Sequence, residues 1–338
     1  MNKFWKSTRG WLPGAIISLV VIVIILKLVG LDRLVQAFQA ADYRLLLLAL
    51  ATSWLWLAVR GIVWRTLLQK KATYKQVFFT LNEGYLINNI LPLKLGELGR
   101  AFLLGRKANL PFMEVFSTIL IERVLDVAFT AAILLISVPF IVDAGNAARI
   151  ALIICVLVVV GLVMLYLLAR NPDLALGWFK RLSSRWPSFQ KQGVQFLSPL
   201  FSGLAILTNG WLFVRVLLWM TLNWFCGLAQ YYITVLAFFP HSPIYWSMFA
   251  LGAAAAGGAI PSAPGSLGTL DAAMVGALTL VSHNPGAALA IAVITRFFNY
   301  ILSGLLGAYA LSTEGETLMG VYHQLRRRKG ESPPGDLS

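Results

Sequence analysis

The chain has 338 residues, is 58% hydrophobic and only 12% charged, has a mean hydropathy of +0.75, and holds several long apolar runs with few charges. Runs of about 20 such residues match membrane-spanning helices, and no short alternating segments of the β-barrel kind interrupt them. Little sequence remains for a soluble catalytic domain, and the net charge of +14 reads as basic cytoplasmic loops rather than as a nucleic-acid surface.

In chain order, Lys3, Lys6 and Arg9 precede an apolar run over 12–29 with no A-x-A cleavage site, which predicts an uncleaved first span. Residues 32–44 read as an interfacial helix or loop. Further spans are expected over about 45–68, 113–142, 146–169, 210–239 and 287–312, with interrupted segments over about 76–105 and 244–282. Between the two halves, 170–200 carries Trp178, Phe179, Trp186 and Phe189 among basic residues, an amphipathic linker for the inner leaflet. Residues 1–320 then form one transmembrane domain, with repeat cores at 76–142 and 244–312, and 321–338 a basic, disordered tail. Cys155 and Cys226 lie in apolar segments and read as small buried hydrophobes, while His241, His283 and His323 lack metal-site spacing.

Basic residues gather at the N-terminus, in the 65–75 loop, in the 170–191 linker and at Arg326–Lys329, which places all four in the cytoplasm of a multi-pass plasma-membrane protein. Connections 143–145 and 240–243 carry neither Lys nor Arg. These assignments agree only if each interrupted segment enters and leaves on its own side. The expected fold is an all-α polytopic integral membrane protein with about six full spans and two re-entrant hairpins arranged as an inverted repeat.

One pattern occurs twice. Ile90-Leu91-Pro92-x3-Gly96-x2-Gly99 precedes Arg123-x2-Asp126, and Ile260-Pro261-x3-Gly265-x2-Gly268 precedes Arg296-x2-Asn299. Each Arg falls about 15 Å into its helix, near the middle of a hydrocarbon core of about 30 Å. A central Arg costs roughly 2.5–3.5 kcal/mol even on insertion scales, so its retention at matching positions points to a site. The simpler alternative is that each Arg pairs with a carboxylate and holds helices together; Glu122 and Asp126 stand beside Arg123.

Pro92, Gly96, Gly99, Pro261, Pro264, Gly265 and Gly268 would shape the hairpins, with helix packing as the alternative role for the glycines. Lys94, Glu97 and Arg100 crowd the first break, whereas the second stays small and nearly neutral until Asp271. Free backbone N–H groups at a helix start, together with a guanidinium, suit a phosphate. The expected site therefore comprises Arg123, Arg296, Glu97, Arg100, Asp126, Asn299 and Asp271, with a polar gate on the cytoplasmic side. Gly265-Ser266-Leu267-Gly268 with His283 is a weak match to a serine protease, and no acidic cluster suggests a metal. No cofactor and no catalytic residue is expected.

The segment Asn89 to Arg100 with Glu122-Arg123-x2-Asp126, and Gly258 to Thr269 with Arg296, resemble the two signatures of the lysylphosphatidylglycerol synthase transmembrane (flippase-like) family, over roughly 12–312. The resemblance implies a lipid-translocating domain. In the best-understood members of that family it flips an aminoacylated phospholipid and is fused to a cytoplasmic synthase; here only a polar tail follows the last span, so self-made lysyl-phosphatidylglycerol is not the expected cargo. Asp271 stands where the family pattern suggests glutamate. The leading expectation is a flippase for an anionic or zwitterionic, phospho- or polyprenyl-linked lipid, with that lipid as partner and a cytoplasmic lipid-modifying enzyme, a glycosyltransferase or a second copy as further associates. The alternative is a membrane accessory subunit that anchors a separate glycosyltransferase or lipid synthase, and an intramembrane enzyme comes third.

Overall fold

The computed structural model describes residues 31–90, 95–141, 171–184, 208–260 and 264–313, with isolated positions between 149 and 197. Pro92, Lys94, Pro261, the 12–29 span, most of 146–169 and the 321–338 tail lie outside these. Every regular element among the described residues is helical. They run α1 (Leu31–Ala40), α2 (Tyr43–Leu67), α3 (Tyr74–Ile90), α4 (Leu95–Ala108), α5 (Phe112–Ser137), α6 (Pro172–Leu182), α7 (Gly210–Phe238), α8 (Ile244–Ala259), α9 (Thr269–Ser282) and α10 (Pro285–Thr313).

Three of them, α2, α7 and α10, are long and apolar enough to cross a membrane, which makes the chain a helical membrane protein. Each has at least 25 residues, about 37 Å at 1.5 Å per residue. Polar caps open two of them: Asp42 Oδ1 accepts from Arg44 N at 2.8 Å, and Asn209 Oδ1 from Leu212 N at 3.1 Å. α5 is as long at 26 residues but carries Glu114, Glu122, Arg123 and Asp126.

Each interrupted segment resolves into two short helices, α3 with α4 and α8 with α9. These have 17, 14, 16 and 14 residues, and at 1.5 Å per residue each falls short of a bilayer core of about 30 Å. The pairs close through glycines. A Cβ on Gly96 would strike Gly84 O, and one on Gly257 would sit 2.6 Å from Thr269 O. The second turn is left-handed at Gly265 (φ 65°), Ser266 (φ 53°) and Gly268 (φ 90°), a path that glycine allows at two of the three positions.

The halves correspond helix by helix. α4 and α9 are equally long, carry their acidic residue at the third position (Glu97, Asp271), end on a left-handed residue (Asn109, His283) and are followed by Pro111 and Pro285. Packing between the halves is reciprocal: α2 lies on α7, α3 on α10 and α5 on α8. All three pairs run antiparallel. Along α2 and α7, Asp42 N donates to Ala237 O at 2.8 Å, Asn223 Nδ2 to Trp56 O at 3.0 Å, and Val63 and Leu67 cluster with Val216 and Met220. On α10, Tyr309 meets Phe79 and Ser303 meets Asn89. Phe140, just after α5, stacks on Tyr245 near the start of α8, while Leu134 approaches Gly252 further along.

α1 packs on α10, and its Phe38 lies edge-on to Phe238 at the end of α7. α6 turns Leu174, Trp178 and Leu182 outward, with Lys180 and Arg181 in its last turn, an amphipathic surface of the interfacial kind.

Candidate functional site: two arginine centres at the hairpin starts

Arg123 stands near the middle of α5, and the third residue of α4, Glu97, faces it: Arg123 Nε lies 3.4 Å from Glu97 Oε1. Glu122 and Asp126 flank it at 3.2 and 3.4 Å. Behind them is a buried network that joins α2, α4, α5 and α7. Glu122, fully buried, accepts from Arg100 through both guanidinium nitrogens at 3.1 Å each and from Arg60 at 2.7 Å. Asp126 accepts from Arg60 at 2.9 and 2.6 Å, and Asn223 of α7 accepts from Arg60 at 3.2 Å. Arg100 lies over the Trp64 ring at 4.1 Å, and Trp64 Nε1 donates to Thr118 at 3.0 Å.

Three guanidinium groups thus face three carboxylates, so the cluster is neutral as a whole. That balance is what permits buried charge, because a lone buried ion costs several kcal/mol. Arg60 and Arg100 spend their charge on Glu122 and Asp126. Arg123 pairs with the same two carboxylates and with Glu97 more loosely: 39% of its side chain is exposed, its contacts are 3.2–3.4 Å long, and its buried Nε makes no hydrogen bond.

The second centre is built the same way and is tight. Arg296, near the middle of α10, grips Asp271 of α9 with Nε and an outer nitrogen, both at 2.7 Å. Its remaining donors reach Gly265 O at 2.9 Å, Tyr300 Oη at 2.6 Å and Ser266 O at 3.3 Å. Asp271 also accepts from Gly268 N at 3.0 Å, which caps α9. Asn299, half-buried, lies one turn after Arg296, and its carbonyl accepts from Ser303. The end of the first hairpin reaches this region, since Asn89 donates to Ser303 and α3 packs on the 264–266 turn.

The sequence-predicted residues therefore assemble as two sets. Arg123, Glu97, Arg100 and Asp126 form one, and Arg296, Asp271, Gly265 and Gly268 the other; no described hydrogen bond or ion pair joins them. Gly96 and Gly99 press α4 onto α3, Gly99 towards Ile87, and Pro264 opens the second turn. Arg60 and Asn223 were missed. The signal for Arg60 was present, an Arg inside an apolar span that holds no acidic residue of its own.

Ser266 donates to Gly258 O and precedes α9, whereas His283 follows it, so about 20 Å of helix separates the two and removes the Ser–His pairing. Among the described residues, no group of three His, Cys, Asp or Glu is arranged to hold a metal.

Long apolar helices with a neutral ion-pair cluster and two broken helical hairpins define a polytopic helical membrane protein built around polar centres. The chain belongs to the family described as the lysylphosphatidylglycerol synthase TM region, which it matches over residues 11–307. It is similar to a UPF0104 membrane protein of Methanocaldococcus jannaschii, 24% identical over 88% of this chain and 92% of the relative. A UPF0104 membrane protein of Methanothermobacter thermautotrophicus is also 24% identical, over 86% and 90%. No solved structure matches the chain.

Proposed function

We propose that the protein is a lipid flippase, in which a headgroup crosses the bilayer along polar centres between two inverted repeats while the acyl chains stay in lipid. One observation carries the reading: Arg123, held at mid-helix by a neutral cluster, keeps a side chain that is 39% exposed, with long contacts and a buried Nε that makes no hydrogen bond. A forked donor of this kind suits a lipid phosphate. Glu97 and Asp126 beside it would receive a headgroup cation or gate the way in, and Arg100 positions Glu122. The antiparallel packing of α2 on its counterpart α7 supports the inverted arrangement. The anionic or zwitterionic headgroup, phospho- or polyprenyl-linked, and the plasma-membrane location with both termini cytoplasmic are parts of the same proposal.

The test is headgroup translocation in proteoliposomes, followed with acyl-labelled fluorescent phosphatidylglycerol and phosphatidylethanolamine. Arg123→Ala should slow translocation at least tenfold, about 1.4 kcal/mol of lost interaction, while detergent-solubilised protein stays monodisperse. Wild-type rates from Arg123→Ala would remove the assigned site. A protein that translocates nothing by itself and co-purifies with a glycosyltransferase or lipid synthase would instead be an accessory subunit.

A further inference from the structure

Arg123–Glu97 and Arg296–Asp271 are the same device in two conditions. Both place an Arg near the middle of a long helix (α5, α10) against the third residue of the second hairpin helix (α4, α9), and both use Arg Nε and a carboxylate oxygen. In one half the pair is 3.4 Å apart, without a hydrogen bond from Nε, and the Arg side chain is 39% exposed. In the other the pair is bidentate at 2.7 Å, five hydrogen bonds occupy the guanidinium, and the side chain is 13% exposed.

Equivalent parts of a repeat have no intrinsic reason to differ so far unless the arrangement of the halves favours one closure over the other. The packing supplies that link. α3 of the first hairpin lies on α10, which carries Arg296, and on the 264–266 turn that Arg296 holds; α8 of the second lies on α5, which carries Arg123. Each Arg-bearing helix is therefore packed against the other half's hairpin. A shift that brings α4 onto α5 displaces surfaces on which α9 and α10 meet.

We propose that the two pairs are headgroup sites that open in turn, one per half, and that this structure holds the first open and the second closed. In the opposite state Glu97 closes on Arg123, and Arg296 releases Asp271, Gly265 and Ser266, leaving a forked donor for a phosphate on the other side of the membrane. This rests on the flippase reading and adds to it that Arg296, whose donors are all used here, is the receiving site. Asp271 and Glu97 act as competing anions, each displaced by lipid phosphate in its own half and restored after release.

Hydrogen exchange of the full chain in nanodiscs of phosphatidylglycerol and phosphatidylethanolamine reads both halves at once. Asp271→Asn should raise exchange over 264–272 and lower it over 95–100, each by about tenfold, as expected for a shifted two-state population. Glu97→Gln should do the reverse. Arg296→Lys, which keeps the charge and loses the fork, should move both segments as Asp271→Asn does and serves if that variant folds poorly. Exchange that changes only in the mutated half, or in the same direction in both, overturns the proposal. The translocation assay separates the two readings: reciprocal exchange without wild-type translocation removes the flippase and keeps the coupled sites, and translocation with independent exchange does the opposite.

Discussion

Arg60 shows how much a single buried charge can hold. Its guanidinium makes hydrogen bonds to Glu122, Asp126 and Asn223, drawn from two other helices. Truncation leaves Glu122 and Asp126, buried and largely buried, with fewer cations than they need. Breaking a buried pair costs on the order of 3–5 kcal/mol, so Arg60→Ala should strongly lower the thermal midpoint in detergent. Asn223→Ala, which removes one hydrogen bond from the Arg60 guanidinium and a neutral one to Trp56 O, roughly 1–3 kcal/mol each, leaves the ion pairs in place and should lower it less. Equal losses would mean that charge compensation is not what Arg60 supplies. Arg123 and Arg296 were legible in the sequence because each follows a Pro–Gly break at a repeated spacing. Their partners were only partly so. Glu122 and Asp126 are neighbours of Arg123 in the chain, whereas Asp271 joins Arg296 only because the second hairpin folds back. Asn223 reaches Arg60 only once α2 and α7 pack, a contact that local sequence does not encode.

At the scale of helices, the hairpins depend on close backbone approach as well as on apolar side chains. Gly84 illustrates this: a Cβ there would strike Arg100 and sit 3.0 Å from Gly96 O. Overpacking of this kind typically costs 1–3 kcal/mol, so Gly84→Ala should destabilise the protein by about that amount and disturb Arg100. Gly276, on α9, has nothing within 4 Å of its Cβ position. Gly276→Ala should be neutral or stabilise by roughly 0.5–1 kcal/mol, the helix-interior difference between the two residues. Thermal unfolding of both variants checks the contrast, and similar effects would contradict the close-approach account. The breaks at 76–105 and 244–282 could be read from Pro and Gly alone. Gly84 could not, since it sits inside a regular helix and its role appears only when α4 crosses it.

For the whole molecule, counting basic loops led to two hairpins of opposite polarity, and the antiparallel packing of α2 on α7, α3 on α10 and α5 on α8 fits that polarity. The pairings themselves were not legible, because they join residues far apart in the chain, as Trp56 and Asn223 do. The polarity has a direct consequence for labelling. In a background with Cys155 and Cys226 replaced, a cysteine at His283 should react with an impermeant reagent from outside intact cells, and one at Arg106 only after the inner face is opened. Reaction of position 106 from outside would reverse the first hairpin and end the inverted arrangement.

The distribution of contacts between the halves bears on how such a chain is made. Every ion pair described above joins residues of the same half, from Arg60–Glu122 to Arg296–Asp271, while apolar surface, glycine contacts and a few hydrogen bonds, that of Arg60 to Asn223 among them, join one half to the other. During synthesis, α2 to α5 can neutralise their own charges in the bilayer before α7 to α10 exist. The costly residues are then already compensated when the second half arrives, and docking is left to shape. Assembly would follow the reverse of the soluble order: polar contacts early and local, apolar contacts late and between distant parts of the chain.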